Sequence, residues 1–275
     1  MAFSDGLRGS QRKTCLKEVW SDMSNKMSTV LAEYTESVLL ITLNRPERHN
    51  ALNSLLNHEL GELISTAVDF SVQAIVITGA GDKAFCAGGD MLEMSGLENI
   101  SELLPPTNER KNAVDELQQT PIPVIAAING YCYGGGARLA IACDIRLASD
   151  NATFRLPGVE YGLVVGAASL PRLVGPAKAK EWILTARKFD ASTALNAGLV
   201  NSIHSHDELL GDAIAMAKLI ASHSSEAVQA SKRIIDLATI SEKATSAENE
   251  VNRGLRGSDE QTQRFRSATK KITGK

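Results

Sequence analysis

Short apolar runs alternate with stretches of helical periodicity along the first 200 residues, and this alternation limits the possible folds most strongly. Strands are predicted at Val38–Leu43, Ala74–Thr78, Pro123–Ile128 and Ile145–Ala148, which are apolar at nearly every position. Strands of this kind are buried on both faces, as in parallel sheets covered by helices. Leucines at helical spacing over 52–67 follow the first strand, with Asn50 or Asn53 as the N-cap. The pattern predicts an α/β fold.

The chain changes character after Pro171, where successive helices replace the strand-rich pattern. We predict an α/β core over residues 28–200 and a C-terminal helical region over residues 201–275 that assembles subunits. Residues 1–27 are polar and irregular and are predicted to be a disordered extension. Their acidic residues are atypical of a transit peptide.

Composition excludes several classes of function. The 275 residues carry a net charge of −3 without a basic stripe, so we expect no nucleic-acid partner. No apolar run approaches the ~18 residues of a membrane helix. The four cysteines form no CxxC pair, which favours a reduced, cytoplasmic protein, or one of the mitochondrial matrix in a eukaryote.

Two glycine clusters follow predicted strands and are the first candidates for chemistry. Ala84–Asp90 contains a glycine pair, and Asn129–Arg138 contains three consecutive glycines before a predicted helix at Ala137–Cys143. Glycines allow close approach of a ligand to the backbone, and a helix N-terminus exposes unpaired N–H groups. Close packing of a helix on a strand accounts for one glycine better than for three. If one N–H from each cluster converges on a single oxygen, the pair stabilises negative charge there.

These segments resemble the crotonase superfamily, the enoyl-CoA hydratase/isomerase family. The resemblance spans about residues 30–270 in order and includes Leu43–Pro46, Asn50–Asn53, Ala84–Asp90, Asn129–Gly136, Ala142–Arg146, Leu170–Gly175 and Ala191–Val200. It implies a crotonase-like spiral core of ββα turns with C-terminal helices that form homotrimers or hexamers. It also implies an acyl-CoA thioester as substrate, with no tightly bound cofactor and no metal.

The resemblance also implies roles for individual residues. The oxyanion amides would belong to Gly89 and Gly135. The residues bordering the CoA moiety would be Arg45, Ala51, Leu52, Gly88, Asp90 and Met91. The expected function is stabilisation of a thioester enolate or oxyanion.

The sequence departs from the family where hydratases carry two catalytic glutamates. These positions correspond to Arg138 and Gly158, and the position of the aspartate found in some isomerases corresponds to Gly166. Hydration needs one group to activate water and another to protonate the α-carbon, which neither arginine nor glycine does at neutral pH. Efficient hydration is therefore not expected. Glu160 is the nearest substitute acid, since an apolar pocket would raise its pKa.

Three alternatives remain open from the sequence. Arg138 could hold a carboxylate on the acyl chain, so that a malonyl-type ester loses CO₂ while the oxyanion amides hold the enolate. Cys132 in Gly130–Gly134 could be the nucleophile of a cysteine hydrolase, with His204, His206 or His223 as base. Without its usual acids, the protein could also be a catalytically silent CoA-binding protein.

Overall fold

The computed structural model describes residue 20 and residues 27–273, which form two sheets and a set of surrounding helices. The strands are β1 (Val30–Thr35), β2 (Val38–Leu43), β3 (Ala74–Gly79), β4 (Ala84–Cys86), β5 (Val124–Ile128), β6 (Tyr131–Tyr133), β7 (Ile145–Ser149), β8 (Thr153–Arg155), β9 (Phe189–Asp190) and β10 (Ser202–His204). The helices are α1 (Ser54–Ala67), α2 (Met91–Met94), α3 (Ala113–Gln119), α4 (Gly135–Ala142), α5 (Pro171–Thr185), α6 (Ala191–Asn196), α7 (His206–Ala221), α8 (Ser225–Thr239), α9 (Glu242–Leu255) and α10 (Asp259–Thr273).

The chain winds as a spiral in which each turn contributes one strand to each sheet. The larger sheet has the order β1-β2-β3-β5-β7-β10, and the smaller has the order β4-β6-β8-β9. The pairs β3/β4, β5/β6 and β7/β8 are three successive turns, and their strands lie parallel to those of the next turn. The predicted α/β spiral is therefore confirmed, with antiparallel β1 and β9 as the exceptions.

Burial explains why the predicted strands form. All six residues of β3 and all five of β5 are buried, as expected for central parallel strands. Asn53 caps α1 by accepting a hydrogen bond from the Leu56 N–H at 2.8 Å, so it is the N-cap rather than Asn50. The helix after the glycine triplet begins at Gly135, two residues earlier than predicted, because the glycines themselves supply its first turn.

Helices cover both faces of the larger sheet. On one face, Leu209, Ala213 and Ala217 of α7 pack against the strands, while the opposite face joins the main core that includes α1 and α4. The predicted division at residue 200 falls just before β10, which pairs with β7 and so belongs to the sheet. Helix α10 packs against α2 and the segment 158–161, and its Phe265 is buried.

The predicted assembly role of residues 201–275 stays a prediction. Helix α8 has no buried residue, and it exposes Ile234, Ile235 and Leu237. The predicted disorder of residues 1–27 concerns residues that lie mostly outside those described. Of that segment, Trp20 is buried and meets the Phe70 ring edge-on, with 5.7 Å between ring centroids.

Candidate active site

The glycine pair after β4 leaves one backbone amide without a partner among the described residues. Leu52 donates its N–H to the Gly88 carbonyl oxygen at 2.7 Å and accepts from the Asp90 N–H at 2.9 Å. This bridge uses the groups on either side of Gly89 and not its N–H. Gly88 adopts φ of 107°, a left-handed conformation that favours glycine and sets the direction of the turn.

The three glycines of the triplet have different structural roles. A Cβ on Gly136 would lie 2.2 Å from the Cys86 carbonyl oxygen, so this glycine is required for α4 to pack on β4. Gly134 reverses the chain with φ of 49° and accepts the Arg138 N–H at 3.0 Å. Gly135 is the first residue of α4, where an N–H has no acceptor within the helix.

The Gly89 and Gly135 amides lie next to each other. A Cβ built on Gly135 would be 3.6 Å from the Gly89 nitrogen, and one built on Gly88 would be 3.7 Å from the Gly135 nitrogen. Within the part of the chain that the structure describes, neither N–H donates to a protein acceptor. Two adjacent unpaired donors are the arrangement that stabilises an oxyanion.

Both amides border one cavity of about 650 Å³. Ala51, Leu52, Gly88, Gly89, Asp90, Met91, Gly135 and Arg138 all line it, so eight of the ten predicted site residues meet there. Its apolar side includes Leu163, Val165 and Phe265, together with Tyr161, which stacks on Phe265. Partial burial raises the pKa of Tyr161.

Arg45 lies behind the cavity wall rather than in it. Its guanidinium donates to the Ala51 carbonyl oxygen at 2.6 Å and to Asp90 at 2.8 Å. Asp90 is buried and also caps α2 by accepting the Leu92 N–H at 3.0 Å. This ion pair therefore fixes the segment that carries Gly89.

The structure does not bring Glu160 to this cavity. Its carboxylate pairs with Arg155 and is 42% exposed, on a separate surface cleft shared with Arg264. An exposed carboxylate that pairs with Arg155 is not positioned to exchange a proton with an acyl group bound in the cavity. The geometry therefore gives no support to Glu160 as the catalytic acid.

Two asparagines outside the predicted site hold the glycine turns in place. Asn50 is fully buried and donates to the carbonyl oxygens of Ala80 and Ala84, while its own oxygen accepts the Arg45 N–H. Asn129 bonds in the same way to Gly79 and Gly81. The sequence signal for this role was that both asparagines lie beside glycines and strand ends. A buried amide there must find hydrogen-bond partners in the neighbouring turn.

Among the described residues, Cys132 forms no hydrogen bond with His204, His206 or His223, the histidines of the cysteine hydrolase alternative. Cys132 is fully buried, and burial raises the pKa of its thiol well above the usual range, so the reactive thiolate is suppressed. His204 bonds instead to Ser202 at 2.7 Å and Asp212 at 2.6 Å, at the edge of the larger sheet. The geometry therefore argues against a Cys132 nucleophile.

Residues 20 and 27–273 contain neither a metal-binding cluster nor a membrane-spanning helix. No group of three or more His, Cys, Asp or Glu side chains there could hold a metal ion. Among the same residues, no helix is long and apolar enough to cross a bilayer.

Comparison with known proteins shows the family to which the chain belongs. The family model described as enoyl-CoA hydratase/isomerase matches residues 33–271. The chain is 38% identical over 218 residues to a short-chain-enoyl-CoA hydratase of Clostridium acetobutylicum, which covers 77% of this chain and 82% of the relative. It is also 38% identical to a 2,3-dehydroadipyl-CoA hydratase of Escherichia coli, which covers 76% of this chain and 82% of that protein.

Solved structures agree with this placement. A carnitinyl-CoA hydratase from Mycobacterium avium superposes with a TM-score of 0.76 at 32% identity, over 88% of this chain and 96% of that one. An enoyl-CoA hydratase/isomerase from Pseudoalteromonas atlantica gives a TM-score of 0.79 at 29% identity, over 89% and 98% of the two chains. The chain therefore belongs to the enoyl-CoA hydratase/isomerase family.

Proposed function

We propose that this protein is an enzyme of acyl-CoA thioesters that stabilises an enolate or oxyanion with the N–H groups of Gly89 and Gly135. The observation that carries the proposal is that these two donors lie side by side on a cavity wall, unpaired within the described chain. A thioester carbonyl placed there gains two hydrogen bonds that strengthen as charge moves onto its oxygen. Preorganised donors of this kind are a major source of catalysis.

We infer further that efficient hydration is not the reaction of this cavity. Among the described residues that line it, the carboxylates are Glu47 and Asp90. Asp90 is committed to Arg45 and to the cap of α2, and Glu47 is exposed. Water addition requires a base that activates water and an acid that protonates the α-carbon. These two carboxylates fill neither role. We therefore place the chemistry in carbonyl polarisation and α-carbon acidity.

Infrared spectroscopy tests this proposal without assuming a reaction. Butyryl-CoA labelled with ¹³C at its thioester carbonyl is bound to the protein, and the carbonyl stretch is compared with that of the free ester. We expect a shift to lower frequency, because two hydrogen bonds weaken the C=O bond. A bound ester with an unshifted carbonyl would contradict the proposal.

The matched variants are Gly135→Pro and Gly135→Ala. Proline is tolerated at a first helical position and replaces the N–H with a ring carbon, so we expect the shift to diminish and any turnover to fall about a hundredfold to a thousandfold. Alanine keeps the N–H, and its Cβ meets the flexible end of Leu52 at 3.1 Å. Thermal unfolding of both variants verifies the fold. Ester binding without turnover on any CoA ester of a broad panel would favour a silent CoA-binding protein instead.

A further inference from the structure

The cavity that carries the two amides has a positive lining in a protein of negative net charge. Among the described residues, four arginines and two carboxylates line it, whereas the whole chain has a net charge of −3. The arginines are Arg48, Arg138, Arg155 and Arg256, and the carboxylates are those of Glu47 and Asp90.

One of these arginines differs from the other three. Arg48 pairs with Glu98 at 2.8 Å, and Arg155 pairs with Glu160 while donating to the Ala186 carbonyl oxygen. Arg256 is exposed, so water solvates it. Arg138 is half-buried, and within the described chain its guanidinium has neither an ion pair nor a hydrogen bond.

The position of Arg138 on α4 directs it toward the apolar side of the cavity. Gly134 and Ile141 lie four residues before it and three residues after it, hence on the same helix face. A Cβ on Gly134 would be 3.8 Å from Pro157, and one on Gly166 would be 3.7 Å from Ile141. The face that bears Arg138 therefore packs along residues 156–166, which also supply Leu163 and Val165 to the lining.

A half-buried guanidinium without a partner is matched to an anion of the substrate. Its planar, positively charged donors fit a carboxylate bidentately. We propose that the acyl group carries a free carboxylate at the end away from the thioester and that Arg138 binds it. The substrate is then the CoA monothioester of a dicarboxylic acid. This inference rests on the proposed function, since the thioester carbonyl must lie at Gly89 and Gly135 for the acyl group to reach Arg138.

Recognition is a better role for this ion pair than promotion of CO₂ loss. A guanidinium that holds a carboxylate stabilises the charged ground state, and this stabilisation is lost as neutral CO₂ departs. Binding of the ground state alone does not lower the barrier. Decarboxylation of a malonyl-type ester with the help of Arg138 therefore stays a prediction. It is tested by analysing the products that the protein forms from malonyl-CoA.

Calorimetric binding of esters matched in carbon number tests the inference. Malonyl-, succinyl-, glutaryl- and adipyl-CoA, whose acyl groups carry a carboxylate, are the charged esters. They are compared with propionyl-, butyryl-, valeryl- and hexanoyl-CoA, the uncharged esters, whose acyl groups carry none. We expect at least one charged ester to bind the protein about tenfold to a hundredfold more tightly than its uncharged counterpart, as expected for hydrogen bonds to a charged group. In Arg138→Gln this ratio falls to about one, with the uncharged ester bound as before, and Arg138→Lys restores part of it.

Arg256→Gln is the matched control, because it removes the exposed cavity arginine. It is expected to affect charged and uncharged esters equally. If charged and uncharged esters bind the unaltered protein equally and Arg138→Gln changes neither, the inference is overturned while the proposed function stands. If no CoA ester binds at all, the proposed function itself fails. Thermal unfolding of Arg138→Gln distinguishes a lost contact from a lost fold.

Discussion

Gly158 lies directly against the carbonyl oxygen of Leu163. A Cβ at position 158 would be 2.8 Å from that oxygen and 2.9 Å from the Val165 side chain, and the Leu163 N–H donates back to the Gly158 carbonyl at 2.9 Å. The segment 163–165 therefore occupies the space into which a side chain at 158 would extend. A glutamate at this position, which the resemblance implies for hydratases of the family, would therefore collide with residues 163–165.

Gly158→Ala should destabilise the protein by about 1–3 kcal/mol, because the added methyl group meets a backbone oxygen that cannot rotate away. Gly211→Ala is the control, since a Cβ there meets nothing within 4 Å and the residue lies in α7. Alanine favours a helix over glycine, so this control should be neutral or slightly stabilising. Urea unfolding of both variants measures the difference, and equal stabilities would contradict the steric argument.

Glutamates introduced at positions 138 and 158 should not create an efficient hydratase. In Arg138→Glu/Gly158→Glu, the second carboxylate can enter only if the segment 163–165 moves, which also displaces the apolar cavity wall. We expect crotonyl-CoA hydration to stay close to that of the unaltered protein, as followed by loss of enoyl absorbance. Hydration raised a thousandfold or more, the order expected of a working general acid–base pair, would show that the loop yields readily.

The strands were predictable because residues buried on both faces of a sheet form unbroken apolar runs in the sequence. Val38–Leu43 was predicted with the bounds that the structure has, and Ala74–Gly79 differs by one residue. Their register and the two-sheet spiral were not derivable from periodicity, since parallel pairing depends on contacts far apart in sequence. The resemblance to a known family supplied that part, and the fold confirms it.

The glycine amides could be predicted from their motifs, but the orientation of single side chains could not. Glu160 follows Pro157 at a plausible distance in sequence, yet the short helix at Gly158–Tyr161 turns it toward Arg155 while Tyr161 faces the cavity. A one-residue rotation of this kind depends on tertiary packing. For the same reason the partners of Asn50 across the glycine turn were not visible in the sequence.

Helix α9 binds the segment 166–168, which follows the cavity residues Leu163 and Val165, through a buried carboxylate. Glu248 accepts the Gly166 N–H at 3.0 Å and the Ala168 N–H at 2.7 Å. Glu248→Ala leaves two backbone donors unpaired, so we expect a loss of about 1–3 kcal/mol in stability and weaker binding of acyl-CoA esters. Glu250→Ala, an exposed change on the same helix, should do neither. Amide hydrogen exchange at Gly166 and Ala168 localises the effect, and unchanged protection there would refute it.

Cys132→Ala should leave turnover of any CoA ester nearly unchanged, because the thiol is fully buried and protonated. In a Cys15→Ser background, a thiol reagent should label Cys86, Cys132 and Cys143 only after unfolding, since burial suppresses their thiolates. Mass spectrometry after incubation with an acyl-CoA checks the hydrolase alternative directly. An acyl adduct on Cys132, together with complete loss of activity in the alanine variant, would establish the nucleophile that the geometry disfavours.

Cys143 should make stability decline in alkaline solution. Burial raises the pKa of its thiol from 9.0 to about 12, so between these values the unfolded chain has lost a proton that the folded protein keeps. Stability falls with pH wherever the unfolded state binds fewer protons, by up to about 1.4 kcal/mol per pH unit for one group. Cys143→Ala removes this contribution. Urea unfolding from pH 8 to pH 11 should therefore show the unaltered protein losing stability faster than the variant above pH 9, and parallel curves would contradict the assignment.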